Sequence, residues 1–411
     1  LLNGYSNISD ESSLLLVADS DKLENITSKI FNLNSSPINL SDYKFSTFQF
    51  VQDEDFMHVN ININKNKSRA VSNTISEEFN ITLDADVLTN PQFVTNYRSN
   101  QEDIVVQDIN NNLYLISNQG KILWKKRLNG NILGKIEQID IYKNGRLQLV
   151  FATPKRVYVI DRNGNDVGPF PLNFNDNITQ PLSVFDYDNN KNYRLLVTQG
   201  SNLLLYNVSG KIVNGFNYQK STEINSQPKH FRINSKDYIV FAAGNIMKIL
   251  NRQGQSRIDV KESIDFSDNE IYLYKDLFTT TNRNGDLVQV NSNGSVSKQN
   301  LNLDNNHAIT TTSKTLVTLS ENNLTIKQNT FELDFGNYTK PNIFYINDKI
   351  YVTVTDLQAK KIYLFDSLAK IQNNFPVYGN SEIELKNIDK DNNLEFVTIG
   401  DSDSIIIYQK N

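Results

Sequence analysis

Cysteine is absent from the 411 residues. That absence excludes disulfides, thiolate metal sites and cysteine nucleophiles together. Histidine occurs three times, as His58, His230 and His307. These are too dispersed for a metal-ligand or triad spacing, so surface and packing roles are expected. His230 falls on an expected inner strand, where it could face a channel. No apolar run approaches the roughly 20 residues of a membrane-spanning helix; Leu14–Ala18 and Leu203–Tyr206 are strand-sized. Basic charge is not in excess, since Lys+Arg 41 against Asp+Glu 46 gives a net charge of -5. A nucleic-acid partner, which wants a basic face, is therefore not expected. The densest cationic run, Lys125-Lys126-Arg127, reads as a solvated strand edge. No serine or threonine sits in a nucleophile-elbow sequence.

What is present describes a folded protein: 38% hydrophobic and 21% charged residues. The length suits one large repeat domain plus a smaller piece. Asparagine is over-used alongside lysine and isoleucine, so sequons such as Asn25-Ile-Thr27 and Asn323-Leu-Thr325 are read as products of composition. The chain opens Leu1-Leu2-Asn3-Gly4 with no signal-peptide pattern. It is expected to be a fragment or processed form, with any targeting signal upstream.

Internal periodicity dominates the rest. Asn112-Leu-Tyr-Leu-Ile116, Ser-Asn-Gln-Gly120 and Lys-Ile-Leu-Trp124 read as an alternating strand, a tight turn closed by glycine and a second strand. The phrase returns at Val157–Ile160 with Gly164, Leu203–Tyr206 with Gly210, Ile246–Ile249 with Gly254, and Leu287–Val290 with Gly294. Weaker copies are Leu324–Ile326, Ile362–Phe365 with Ala369 in the glycine place, and Ile405–Tyr408. Spacings of roughly 37–47 residues match a four-stranded propeller blade. Strand-like runs precede each copy, and helical periodicity is essentially absent after residue 79.

The expected fold is therefore all-β: an eight-bladed β-propeller over 79–411, with seven blades as the fallback because the sixth repeat is short and lacks its turn glycine. The last repeat has no residues left for an outer strand after Tyr408. The segment Ile81–Asp86 is expected to pair with it and close the ring. Residues 1–78 depart from the repeat. Strands at Ser13–Asp19, Phe45–Gln52 and Phe56–Asn64 and an amphipathic helix at Lys22–Phe31 suggest the C-terminal part of an α+β domain.

The segment Leu113–Trp124, with Gly120-Lys121 and its closing Trp124, resembles the blade signature of quinoprotein-dehydrogenase-like propellers. Phe170-Pro171 and Phe375-Pro376 echo a turn phrase of the same superfamily. Trp124 is the single tryptophan, so that family's ring of tryptophan blade locks is not expected; Gly168 and Asn214 stand in matching places. More narrowly, Pro91 through Trp124 resembles uncharacterised envelope lipoproteins of flavobacteria, which carry an α+β domain upstream of a propeller. The resemblance implies a periplasmic or outer-membrane-associated protein held by an N-terminal lipid anchor, with another envelope protein as partner. A quinone cofactor is not expected, because the tryptophan sandwich and vicinal cysteines are missing.

Two acidic loops are the remaining chemical candidates. Asp389, Asp391, Asn393 and Glu395, and likewise Asp186, Asp188 and Asn190, place oxygen ligands at alternating positions, as calcium loops do. Both lack the central glycine and distal glutamate of an EF-hand. Asp140 with Asn144 repeats the spacing of Asp186 with Asn190 and Asp389 with Asn393, which favours a recurring Asx turn between strands, with calcium as the alternative. The expectation for function is a non-enzymatic scaffold without a cofactor. The alternative is a propeller binding a small ligand, a glycan or calcium, with a polar pocket on its inner strands.

Overall fold

The computed structural model describes residues 12–19, 43–53, 56–65 and 74–411, and strand is the regular element throughout them. Ser12–Asp19, Tyr43–Asp53 and Phe56–Lys65 form a three-stranded antiparallel sheet. The helix expected at Lys22–Phe31 lies outside the described residues. Alternation sets Met57, Val59 and Ile61 on one face of the third strand and His58 and Asn60 on the other. Asn60 donates to Asp348 at 3.3 Å, and the Lys314 ammonium donates to the Gln52 carbonyl at 2.6 Å.

From residue 75 onward come eight antiparallel sheets. The first seven cover 92–127, 133–173, 183–207, 229–258, 272–300, 307–332 and 342–378. The eighth joins 384–410 to the strand Ile75–Thr82. All are four-stranded except the third, which has three. The short sixth repeat makes a complete sheet, because its third and fourth strands are joined by Lys327 and Gln328 alone. The first strands of the first and second, fifth and sixth, sixth and seventh, and eighth and first sheets touch. The arrangement is a closed all-β propeller.

Each sheet lies between two others, so its second and third strands are covered on both faces. That is why Ile104-Val105-Val106 and Leu113–Ile116 read as unbroken apolar runs. The packing is sorted by boundary. Val105, Leu113, Phe151 and Tyr158 join the first sheet to the second. Val240, Ile249, Phe278 and Val288 join the fourth to the fifth, and Ile104, Tyr114, Val397 and Ile407 join the eighth to the first.

Ring closure differs from the expected register. Ile75–Thr82 pairs with Ser404–Lys410, with Ile81 opposite Ile405, Phe79 opposite Ile407 and Ile75 opposite Lys410. Of the segment 81–86, only Ile81 and Thr82 lie in this strand, so the propeller starts at 75 rather than 79. An outer strand keeps one edge and much of its surface in water, so Ser76-Glu77-Glu78 reads as a linker in sequence. Ile75, Phe79 and Ile81 carry its apolar contacts.

Neighbouring sheets are also locked side chain onto turn. Trp124, on the outer strand Ile122–Arg127, covers Gly164 in the next sheet's turn and donates its indole N–H to the Arg162 carbonyl at 2.8 Å. Gly164 has φ +84°, and a methyl group there would stand 3.1 Å from the indole. This position therefore demands glycine twice over. The lock recurs without tryptophan: Phe79 covers Gly120, Pro169 and Leu172 cover Gly210, Phe216 covers Gly254, and Ile258 covers Gly294. Gly168 and Asn214 take no part in these contacts. The covering residue takes no fixed place along the outer segment.

Candidate functional site

The loops that begin at Asp140, Asp186 and Asp389 divide into two kinds. Asp140 accepts from the N–H groups of Asn144 and Gly145 at 3.0 and 2.8 Å. Asp186 does the same for Asn190 and Lys191 at 3.1 and 2.8 Å. In that loop Asp188 turns away to Arg252, which donates to it at 2.6 and 3.1 Å and holds its carboxyl below the usual carboxylate range. Asn190 accepts from the Asn192 N–H at 3.1 Å. Asp186, Asp188 and Asn190 thus serve three separate partners. The loop at 389–395 is capped differently: Asn387 accepts from Lys390 N–H at 2.7 Å and Asp391 from Asn393 N–H at 2.5 Å. Asp389, Asp391 and Glu395 are left with carboxylate oxygens within 4.8 Å of one another. The Asn393 amide donates to Asp391 at 2.8 Å. Glu395 is buried and accepts from the Ile388 N–H at 2.8 Å. Burial, with Asp389 and Asp391 nearby, pushes its pKa up to about 7. This loop stands at the ring's seam, where the Gln101 amide donates to the Asp389 carbonyl at 3.2 Å.

A second constellation occupies the boundary between the fifth and sixth sheets. The fifth sheet's second strand reads Leu-Phe-Thr-Thr-Thr, and Thr279, Thr280 and Thr281 are fully buried. Buried hydroxyls need partners; Thr279 and Thr280 donate to the Leu277 and Asn269 carbonyls of their own repeat, and Thr281 meets Ser267, Asn269 and, across the boundary, His307. Asn269 accepts from the Ile309 N–H at 2.9 Å and donates to Thr281 Oγ1 at 2.9 Å. His307 Nδ1 lies 2.6 Å from the Asp304 carbonyl and Nε2 lies 2.7 Å from Thr281 Oγ1. A carbonyl only accepts, so Nδ1 carries the proton; in the neutral ring Nε2 then accepts from the threonine hydroxyl. A hydroxyl on an imidazole has the form of a nucleophile and its base. Thr281 has no exposed surface, so the pair acts as a bridge between sheets.

Above this boundary opens a cleft of about 900 Å³, formed by loops of the fifth, sixth and seventh sheets. Asp268, Asn305, Asn306, His307, Glu321, Phe335 and Lys340 are among its walls. Phe335 is 87% exposed on the rim. Its turn is fixed by the Tyr338 hydroxyl on the Asp334 carbonyl at 2.7 Å, and Gly336 lies so close to Asp356 that a methyl group would overlap its carboxylate.

The ring axis is lined by paired charges. Gln92, Lys135, Asn342 and Glu384, from the first, second, seventh and eighth sheets, meet around a cavity of about 370 Å³. Lys135 donates to Glu384 at 2.9 Å, and Lys229 pairs with Glu270. Burial opposes the charge of Lys135, but Glu384, Glu382 and Glu137 hold its pKa above the usual lysine value. Burial likewise opposes the charge of Glu270, which Lys229, Lys340 and Lys135 keep below the usual range.

No family model and no curated protein matches the sequence. Solved structures do. The chain is similar to BamB from Moraxella catarrhalis with a TM-score of 0.53 and 12% identity, over 82% of this chain and 100% of that one. It is also similar to BBS1N in its complex with ARL6DN, with a TM-score of 0.50 and 13% identity over 82% and 96%. The likeness is one of fold. It covers the share of the chain that the ring occupies.

The remaining sequence candidates fall into structural roles. His230 packs between the third and fourth sheets, 2.8 Å from Asp237 and edge-on to Tyr187, and burial lowers its pKa. His58 lies 3.7 Å from Asp348. Lys125 pairs with Asp84 and Lys126 with Asp166, so much of the cationic run is neutralised. Phe335 escaped sequence reasoning. Its signal is an aromatic inside the turn-like run Asp334-Phe-Gly-Asn337, where strand packing does not account for it.

Proposed function

We propose that this chain is a non-enzymatic propeller scaffold of the bacterial cell envelope, related to quinoprotein-dehydrogenase-like propellers and holding another envelope protein. One observation carries the reading: many of the charged side chains are spent on tying sheets together. Lys135–Glu384 and Lys229–Glu270 bridge inner strands, Arg162–Asp103 joins the first two sheets, and Arg252 links Asp188 and Asp237 of the third and fourth. A frame so fixed suits recognition by its loops. BBS1N, seen in complex with ARL6DN, is a similar fold holding a protein. The envelope location and lipid anchor rest on the resemblance of Pro91–Trp124. Fractionation of the source cells should place the native protein with the membranes, cross-linked to one envelope protein. Recovery wholly in the cytoplasm would sink the proposal.

The cluster of Asp389, Asp391 and Glu395 favours a second reading, a ring whose seam is stapled by calcium. A chelator should then lower the melting temperature and added calcium restore it. An unchanged melting temperature removes this reading.

A further inference from the structure

We infer that the cleft over the fifth, sixth and seventh sheets is a binding site for a neutral carbohydrate, with Phe335 as its stacking platform. The proposal goes beyond the scaffold reading and does not depend on it. The rim aromatic comes first. A phenylalanine 87% exposed gains nothing from burial in the fold. Its turn is nevertheless pinned, by Tyr338 on the Asp334 carbonyl at 2.7 Å and by Gly336 against Asp356. A flat, bare apolar face carried on a pinned turn beside a concave surface is what the C–H face of a sugar ring packs against.

The walls specify what lies next to that face. Asp268 and Glu321 offer exposed carboxylates, and Asn305 and Asn306 offer exposed amides. Carboxylates accept from hydroxyls, whereas amides both donate and accept. A ligand dense in hydroxyls matches this set; an apolar ligand would leave it unsatisfied. Charge narrows the class further. Asp265 is paired with Arg283 at 3.7 Å, which leaves two carboxylates against Lys340. That balance gives an anionic phosphate or sulfate ligand no cationic cradle. The volume, about 900 Å³, admits an oligosaccharide of a few rings. The floor is rigid, because Asn269, Thr281 and His307 bind the fifth sheet to the sixth beneath it. A preformed floor lowers the ordering cost of binding.

The test is titration calorimetry of the full chain against neutral xylo-, cello-, manno- and chito-oligosaccharides, with heparin as the polyanionic control. Saturable binding of at least one neutral series is expected. Phe335→Ala should weaken it by about tenfold or more, while Phe335→Trp keeps it. Glu321→Gln should weaken it less. Because Phe335 is bare, Phe335→Ala should leave the melting temperature unchanged, so lost binding reports the site and not the fold. No binding to any neutral series, binding to heparin alone, or undiminished binding by Phe335→Ala would each overturn the inference.

Discussion

Two neighbouring boundaries of the ring have opposite chemistry. The fourth and fifth sheets meet mainly through Val240, Ile249, Phe278 and Val288, an apolar contact without direction, with the ion pair Lys229–Glu270 at its inner end. The fifth and sixth meet through Asn269, Thr281 and His307, whose hydrogen bonds have defined partners and angles. Apolar packing stabilises by area and tolerates sliding. A satisfied polar network adds less net energy and fixes position, because each misplacement leaves a buried group unpaired. The cleft stands above the second kind.

Substitutions at the two boundaries can break that contrast. Phe278→Ala should cost most, about 3–5 kcal/mol in chemical denaturation, since it empties a fully buried ring site between Phe231 and Tyr238. A cost under about 1 kcal/mol would mean the boundary collapses freely. Thr281→Val keeps volume but leaves His307 Nε2 short of a partner, for roughly 1–3 kcal/mol. Equality with wild type would show that water or a rotated side chain replaces the hydroxyl. Gly164→Ala tests the turn locks and should cost about 1–2 kcal/mol through its positive φ and the Trp124 contact. Gly145→Ala, with φ +81° and open space around it, should cost less. A reversed order would discard the lock.

The smallest effect is expected at the seam. Glu395 has a folded pKa of about 7, above its ordinary 4.5. The folded protein therefore binds more protons than the unfolded chain between those values, so stability is greatest below pH 4.5 as far as this group is concerned. It falls as pH rises through about 7 and levels off beyond. Glu395→Gln should flatten that slope in melting scans taken across this pH range. A slope identical to wild type would locate the titration elsewhere.

Much of the ring was legible because a strand buried on both faces writes itself as an apolar run, as at Leu113–Ile116, and a turn glycine punctuates it. Legibility ended where one partner is remote. Asp186 and Asp188 look alike in sequence, yet Arg252, 64 positions away from Asp188, decides that one caps a turn and the other joins an ion pair. The tryptophan locks looked lost because their positions were counted from the glycine, whereas contact is set by how far the outer segment runs after it. Thr279–Thr281 reads as an ordinary β-branched strand, and the His307 that meets Thr281 comes from the sixth repeat. The cleft is assembled from three repeats, so its residues share no motif. Phe335 went unread, since the turn that exposes it is packed against Asp356 of the seventh sheet, a remote neighbour.

Closure by Ile75–Thr82 and Ser404–Lys410 has a consequence for synthesis. The chain must bring together residues 335 apart, such as Ser76 and Asn411, before the eighth sheet is whole. Loop closure over that distance is slow to find. During translation, the face of the first sheet bearing Ile104, Tyr114 and Ile116 has no cover until 394–410 have been made. The nascent ring thus carries an open apolar flank while its later sheets are made, and its hazard of association with other chains is highest before the closing strand arrives.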